Sequence, residues 1–169
     1  FSVAELCRQE PSDHPCEAPA RLPDDKWQAL WEFGGHPEPY VKRSPRFSLR
    51  WRELRRQQLL REDIRDMTGI QDLDQLAVMA RLLAERSSDQ LIYTTLAKQV
   101  RVSENTVRNW VSTLCSFHYG FIVRPWYRSV TKALRKEPKW FLRDWSGISD
   151  PGKRVETFCA CHLLKAVEG

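Results

Sequence analysis

The sequence predicts a mainly α-helical chain, in which a helical segment leads into a winged helix-turn-helix with a small β-hairpin as its wing. Three observations predict it. Residues 94–114, TTLAKQVRVSENTVRNWVSTL, hold two helical patterns on either side of a tight turn. Ahead of them, apolar residues recur at helical spacing through two stretches between 45 and 86. Behind them, residues 121–127 and 139–145 are rich in aromatic and β-branched types that favour strands, with a basic stretch between.

Taken in order, residues 1–25 read as irregular, because Pro11, Pro15, Pro19 and Pro23 exclude a continuous helix. Lys26 to Phe33 reads as a short helix with Trp27, Leu30 and Trp31 on one face, and Gly34 to Pro39 as a rigid turn. A long helix is predicted over Pro45 to Met67, with Trp51, Leu54, Leu60, Ile64 and Met67 as its apolar stripe and Gly69 ending it. Asp72 is the expected cap of the next helix, to about Arg86, with Leu73, Leu76, Ala77, Ala80, Leu83 and Ala84 inward. Ser87 to Asp89 is a turn and Leu91 to Tyr93 a short strand. The motif follows: a helix from Thr95 to Val100, a turn at Arg101 and Val102, and a second helix capped by Ser103, whose hydroxyl suits the free amides of a first turn. Val107, Trp110, Val111 and Leu114 give that helix one buried face, leaving Glu104, Asn105, Arg108, Asn109 and Ser112 largely on the other. Tyr119-Gly120 closes it, and the hairpin forms the wing. A last helix from about Lys153 is expected to turn Val155, Phe158, Cys159, His162, Leu163 and Val167 inward. The expected units are 1–41, 42–71, 72–146 and 147–169.

The 169 residues carry 41% hydrophobic and 29% charged side chains, a composition that folds. The formal net charge is +5, unevenly spread. Lys42 to Arg65 holds nine basic residues against Glu53, Glu62 and Asp63, and Phe121 to Trp145 holds seven against Glu137 and Asp144. The first 41 residues are acidic, with eight carboxylates against three cations. Such asymmetry concentrates positive potential on part of the surface. Five cysteines at irregular spacing fit a reduced, cytoplasmic protein, and no run is long enough to cross a bilayer. Starting at Phe1 and stopping at Gly169, the chain reads as a fragment of something longer.

A helix with one packed and one polar face suits a DNA groove. Arg108, Asn105 and Asn109 are then candidates for base edges, and Thr94, Thr95, Ser103 and Ser112 for phosphates. On the wing, Arg128, Lys132, Arg135, Lys136 and Lys139 are candidate phosphate contacts. The alternative is a winged helix used for protein contacts. The arginine-rich helix can likewise be a phosphate-contacting face, or a solvated one in which Arg61 and Arg65 pair with Glu62 or Asp63. Cys159-Ala160-Cys161-His162 invites a metal, but the two thiols point apart on a helix and no C-x2-4-C pair exists, so no metal site is expected; His14 beside Cys16 reads the same way. Trp27, Trp31, Trp51 and Trp110 occupy core positions, whereas one of Trp126, Trp140 and Trp145 can be exposed for stacking.

The order FSVAEL, GGHPEP, WRELRRQQLLREDIRDMTGI, the helix-turn-helix, KWFLRDWSGI and RVETFCACHLLKAV resembles bacterial and archaeal AAA+ ATPases with a C-terminal domain of unknown function. In that family an ATPase core is followed by a helical lid, a winged helix and a nuclease-like α/β domain of the PD-(D/E)XK type. The resemblance implies that Phe1 to Leu6 ends an ATPase core, that Lys26 to Tyr40 belongs to the lid, and that Leu73 to Trp145 is the winged helix. It also implies that the final helix opens a truncated α/β domain, with Glu156 matching its first carboxylate. The sequence has no G-x-x-x-x-G-K-[ST] to cradle phosphates and no Asp or Glu-x-Lys to complete a metal site. No catalytic residue or cofactor is therefore expected here. ATP and magnesium are implied only for the longer parent, and the partners implied are duplex DNA, the ATPase core and a partner protein, with no membrane.

Overall fold

The computed structural model describes residues 1–7, 21–126 and 136–168. A single turn, α1 (Val3–Leu6), is closed by a reciprocal cap between Ser2 and Glu5. Helix α2 (Asp24–Phe33) ends at Gly34, whose φ of 82° a side chain would strain, and a Cβ there would lie 2.6 Å from an Asp144 oxygen. The expected rigid turn over 34–39 is only half a turn. Pro37 and Pro39 start helix α3 (Pro37–Lys42), because the first helical turn leaves its N–H groups unpaired and loses nothing to proline.

The long basic helix forms in three pieces: α4 (Pro45–Gln58), a π-helical turn (Leu59–Asp63) and α5 (Ile64–Met67). The wider turn rotates the face that follows it. Leu59, Leu60 and Ile64 are buried there, while Leu54 and Met67, expected on the stripe, are exposed. Helix α6 (Leu73–Glu85) buries Leu76, Met79, Ala80 and Leu83 as its spacing predicts, but Asp72 makes no side-chain cap.

Helices α7 (Tyr93–Val100) and α8 (Glu104–Ser116) meet at Arg101, whose left-handed φ of 61° turns the chain. Strands β1 (Gly120–Val123) and β2 (Lys139–Leu142) pair antiparallel, Gly120 opposite Leu142 and Val123 opposite Lys139. The expected strand at 91–93 does not form, because Tyr93 opens α7. Residues 88–91 line the other edge of β2 instead, through Trp140 N to Asp89 O (3.0 Å), Leu91 N to Pro138 O (2.7 Å) and a bridge between Gln90 and Lys139.

After β2, a 3-10 turn (Trp145–Gly147), capped by Asp144, places the Trp145 indole N–H on Leu30 O at 3.1 Å. Helix α9 (Pro151–Glu168) packs back over it. Its inward face is the predicted one only at Phe158 and His162. Thr157 is fully buried against Ser87 (Oγ to Oγ1 2.8 Å), Phe158 meets Trp145, and Cys161 donates to Leu142 O at 3.2 Å. His162 is inward as expected, but Val155, Cys159, Leu163 and Val167 are exposed. The apolar content of α9 is wide enough for two stripes, and the polar anchors at Ser87 and Leu142 select the stripe through Thr157 and Cys161.

One buried cluster runs from Leu22 on the approach to α2 through α6, α7 and α8 to Ile148. Of the tryptophans expected in it, Trp110 is buried, Trp31 and Trp51 are half-buried and Trp27 is exposed, flanking Phe158 with Trp31. Trp140 and Trp145 are buried instead, and Trp126 is 86% exposed. No helix among the described residues is long and apolar enough to cross a membrane.

Candidate nucleic-acid interface

The two faces of α8 are those its spacing predicts. Val107, Trp110, Val111 and Leu114 are buried, and Asn105, Arg108, Asn109 and Ser112 are exposed. Its start is fixed by Ser103, whose hydroxyl accepts from Thr106 N at 3.0 Å and lies 2.8 Å from the Thr106 hydroxyl. Ser103, a candidate phosphate contact, thus spends its oxygen on the cap. Thr94 and Thr95 are exposed in the first turn of α7.

Arg108 is exposed but held. Its Nε donates to Glu104 Oε1 at 3.0 Å, and its guanidinium lies 4.0 Å from the centre of the Tyr93 ring. Burial pushes the Tyr93 phenol up, while Arg108 and Arg124 both pull it down. Arg124, just past β1, is exposed. Lys98, Arg101 and Arg124 are exposed cations in these elements that the motif reading missed. The signal for Arg101 lay in its own turn: a left-handed residue closing α7 has its side chain outside both helices.

The hairpin candidates divide. Arg128, Lys132 and Arg135 lie outside the described residues, and Lys136 is exposed. Lys139 is exposed and pairs with Glu156 of α9. Glu156, the carboxylate matched by resemblance, is thus engaged by a cation. In the basic helix, Arg56 pairs with Glu53, Arg61 with Asp74 at 3.8 Å and Arg65 with Asp66 at 2.9 Å, not with Glu62 or Asp63. Lys42, Arg46, Arg50 and Arg55 are exposed with no carboxylate partner among the described residues. His14 and Cys16 lie outside the described residues. The Cys161 thiol is pushed up to about 12, first by burial, and donates to Leu142 O at 3.2 Å.

The family model described as a Domain of unknown function (DUF8612) matches residues 24–148, and the chain belongs to that family. No curated protein and no solved structure matches it.

Proposed function

We propose that the chain binds duplex nucleic acid through the polar face of α8 and the foot of the hairpin. By the resemblance stated above, it is the winged-helix coupling region of an AAA+ family ATPase and is not itself catalytic. One observation carries the binding reading. Asn105, Arg108, Asn109 and Ser112 form an exposed polar stripe on a helix whose opposite face is fully packed. Asparagines and an arginine at successive turns suit base edges and phosphates, and the flanking Lys98, Arg101 and Arg124 supply the charge that holds a phosphate backbone.

Such binding is electrostatic first. Duplex affinity, followed by fluorescence anisotropy, is expected to fall by about tenfold or more between about 50 and 200 mM salt. Arg124→Ala is expected to lower the salt slope by about 1, and Asn105→Ala with Asn109→Ala to weaken binding without changing that slope. No binding at low salt, or an affinity indifferent to salt, overturns the reading.

The α9 stripe favours a second reading, a protein-docking module that links an ATPase core to a partner. Leu163 is 69% and Val167 86% exposed, in line with Val155 and Cys159. Under this reading the chain binds a hydrophobic dye or self-associates on concentration, and Leu163→Asp removes both. A dye-silent monomer ends it.

A further inference from the structure

A cavity of about 380 Å3 opens between α4, the end of α8 and the loop after β2, on residues that the duplex surface does not use. Arg52, Arg55 and Arg56 enter it from one side and Arg143 from the other, against only Glu53 and Asp144. Trp51, Phe117 and Tyr119 supply flat apolar wall. We propose that this cavity binds a small organic phosphate carrying a flat ring, with arginines on the phosphate and aromatic side chains on the ring.

The charge accounting favours an anion. Arg56 is matched by Glu53. Arg143 gives both terminal nitrogens to Glu168 at 3.0 Å, and its buried Nε has no acceptor among the described residues. Arg52 donates only to the neutral Ser146 hydroxyl at 3.0 Å. Arg55 has no hydrogen-bond or carboxylate partner among the described residues. Asp144 accepts from Ser146 N and Oγ at 2.9 and 2.7 Å, neutral donors that leave its charge in the cavity. Arg52 and Arg55 thus have no carboxylate ion pair among the described residues, Asp144 offsets one of their two charges, and a guanidinium fork matches phosphate geometry.

The walls select the rest of the ligand. The His36 ring lies 4.7 Å from the Trp51 ring, and burial holds it below its ordinary value, so it adds aromatic surface rather than charge at neutral pH. The Tyr119 hydroxyl is spent on Ala80 O at 3.0 Å, which fixes its ring. The volume lies in the range of small-molecule sites and is far too small for a duplex.

Isothermal titration calorimetry with phenyl phosphate and adenosine 5′-monophosphate tests this, against inorganic phosphate and adenosine as half-ligands. The two esters are expected to bind, and each half-ligand to bind about tenfold or more weakly. Arg55→Ala, at an exposed position outside the core, is expected to cost the esters about tenfold, with Arg55→Lys recovering part of it. Arg124→Ala is expected to leave ester binding unchanged, which separates this site from the duplex surface. The proposal is overturned if the esters do not bind, if they bind no better than adenosine, or if Arg55→Ala binds them as the parent does.

Discussion

At Gly120 the chain leaves α8 for β1 under the face of Trp140. A Cβ there would lie 2.3 Å from a ring carbon of that tryptophan and 2.6 Å from Phe141 O. Trp140 is only 1% exposed and cannot move aside. Gly120→Ala is therefore expected to lower stability by about 1–3 kcal/mol, as overpacked sites do, read from the chemical-denaturation midpoint. His162 carries a different constraint. Its Nε2 accepts from Val3 N at 3.1 Å, so Nδ1 carries the proton given to Phe158 O at 2.8 Å. Burial is the main reason its pKa is lowered, Lys165 adds to the lowering, and the Phe158 carbonyl and Glu5 oppose it. A histidine depressed in the folded state is protonated first in the unfolded chain. Its contribution is full above the ordinary value of about 6.5 and is lost as pH falls below it. Stability is expected to drop as pH falls below about 6.5, with buried His36 adding to the drop, and His162→Gln to make it smaller. Glu5, held down to about 2 chiefly by Lys165, acts only in more acid solution and does not confuse the test.

Among the elements, α8 was legible because capping and periodicity are local. Ser103 at the cap and four apolar residues at helical spacing fix its start and its buried face without reference to the rest of the chain. Spacing is silent about which polar partner a side chain takes. Glu104, one turn before Arg108, competes for the guanidinium that the interface would use. Glu104→Gln is therefore expected to strengthen duplex binding by a few-fold through the freed charge, measured by the same anisotropy titration; weaker binding would show that the pair positions Arg108. Helix α9 illustrates the opposite limit. Its sequence offers two apolar stripes, and the hydroxyl of Ser87, 70 positions away, decides between them. The basic helix was misread in a third way. Leu60 and Ile64 are buried as the stripe predicts, but Leu54, before the π-helical turn, and Met67, after it, are exposed, and Leu59 is buried in addition.

Across the described residues, the buried cluster joins α2, α3, the π-helical turn, α5, α6, α7, α8, β2 and the turn after it, and α9 is tied to α2 through Arg154 over the Trp31 ring at 4.7 Å. Elements sharing one core unfold together. Near- and far-ultraviolet circular dichroism are expected to report one coincident denaturation transition, and two separated transitions would show that the sequence boundaries at 41, 71 and 146 mark independent units. The same packing separates the two candidate surfaces. The polar face of α8 and the arginine cavity share no residue, so binding at each is measurable with the other removed.

The amino-acid order alone determined what depends on near neighbours: the helical class, the helix-turn-helix with its cap and its two faces, the hairpin pairing, and the concentration of charge in two stretches. Tertiary structure decided what depends on residues far apart in the chain. It paired Lys139 with Glu156, turned the Val155–Val167 stripe outward, buried Trp140 and Trp145, and gathered Arg52, Arg55 and Arg143 around one cavity. The reason is range. Caps and periodicity act within one or two turns of backbone, whereas a salt bridge or a cavity wall is chosen only once packing has brought distant segments within a few ångströms.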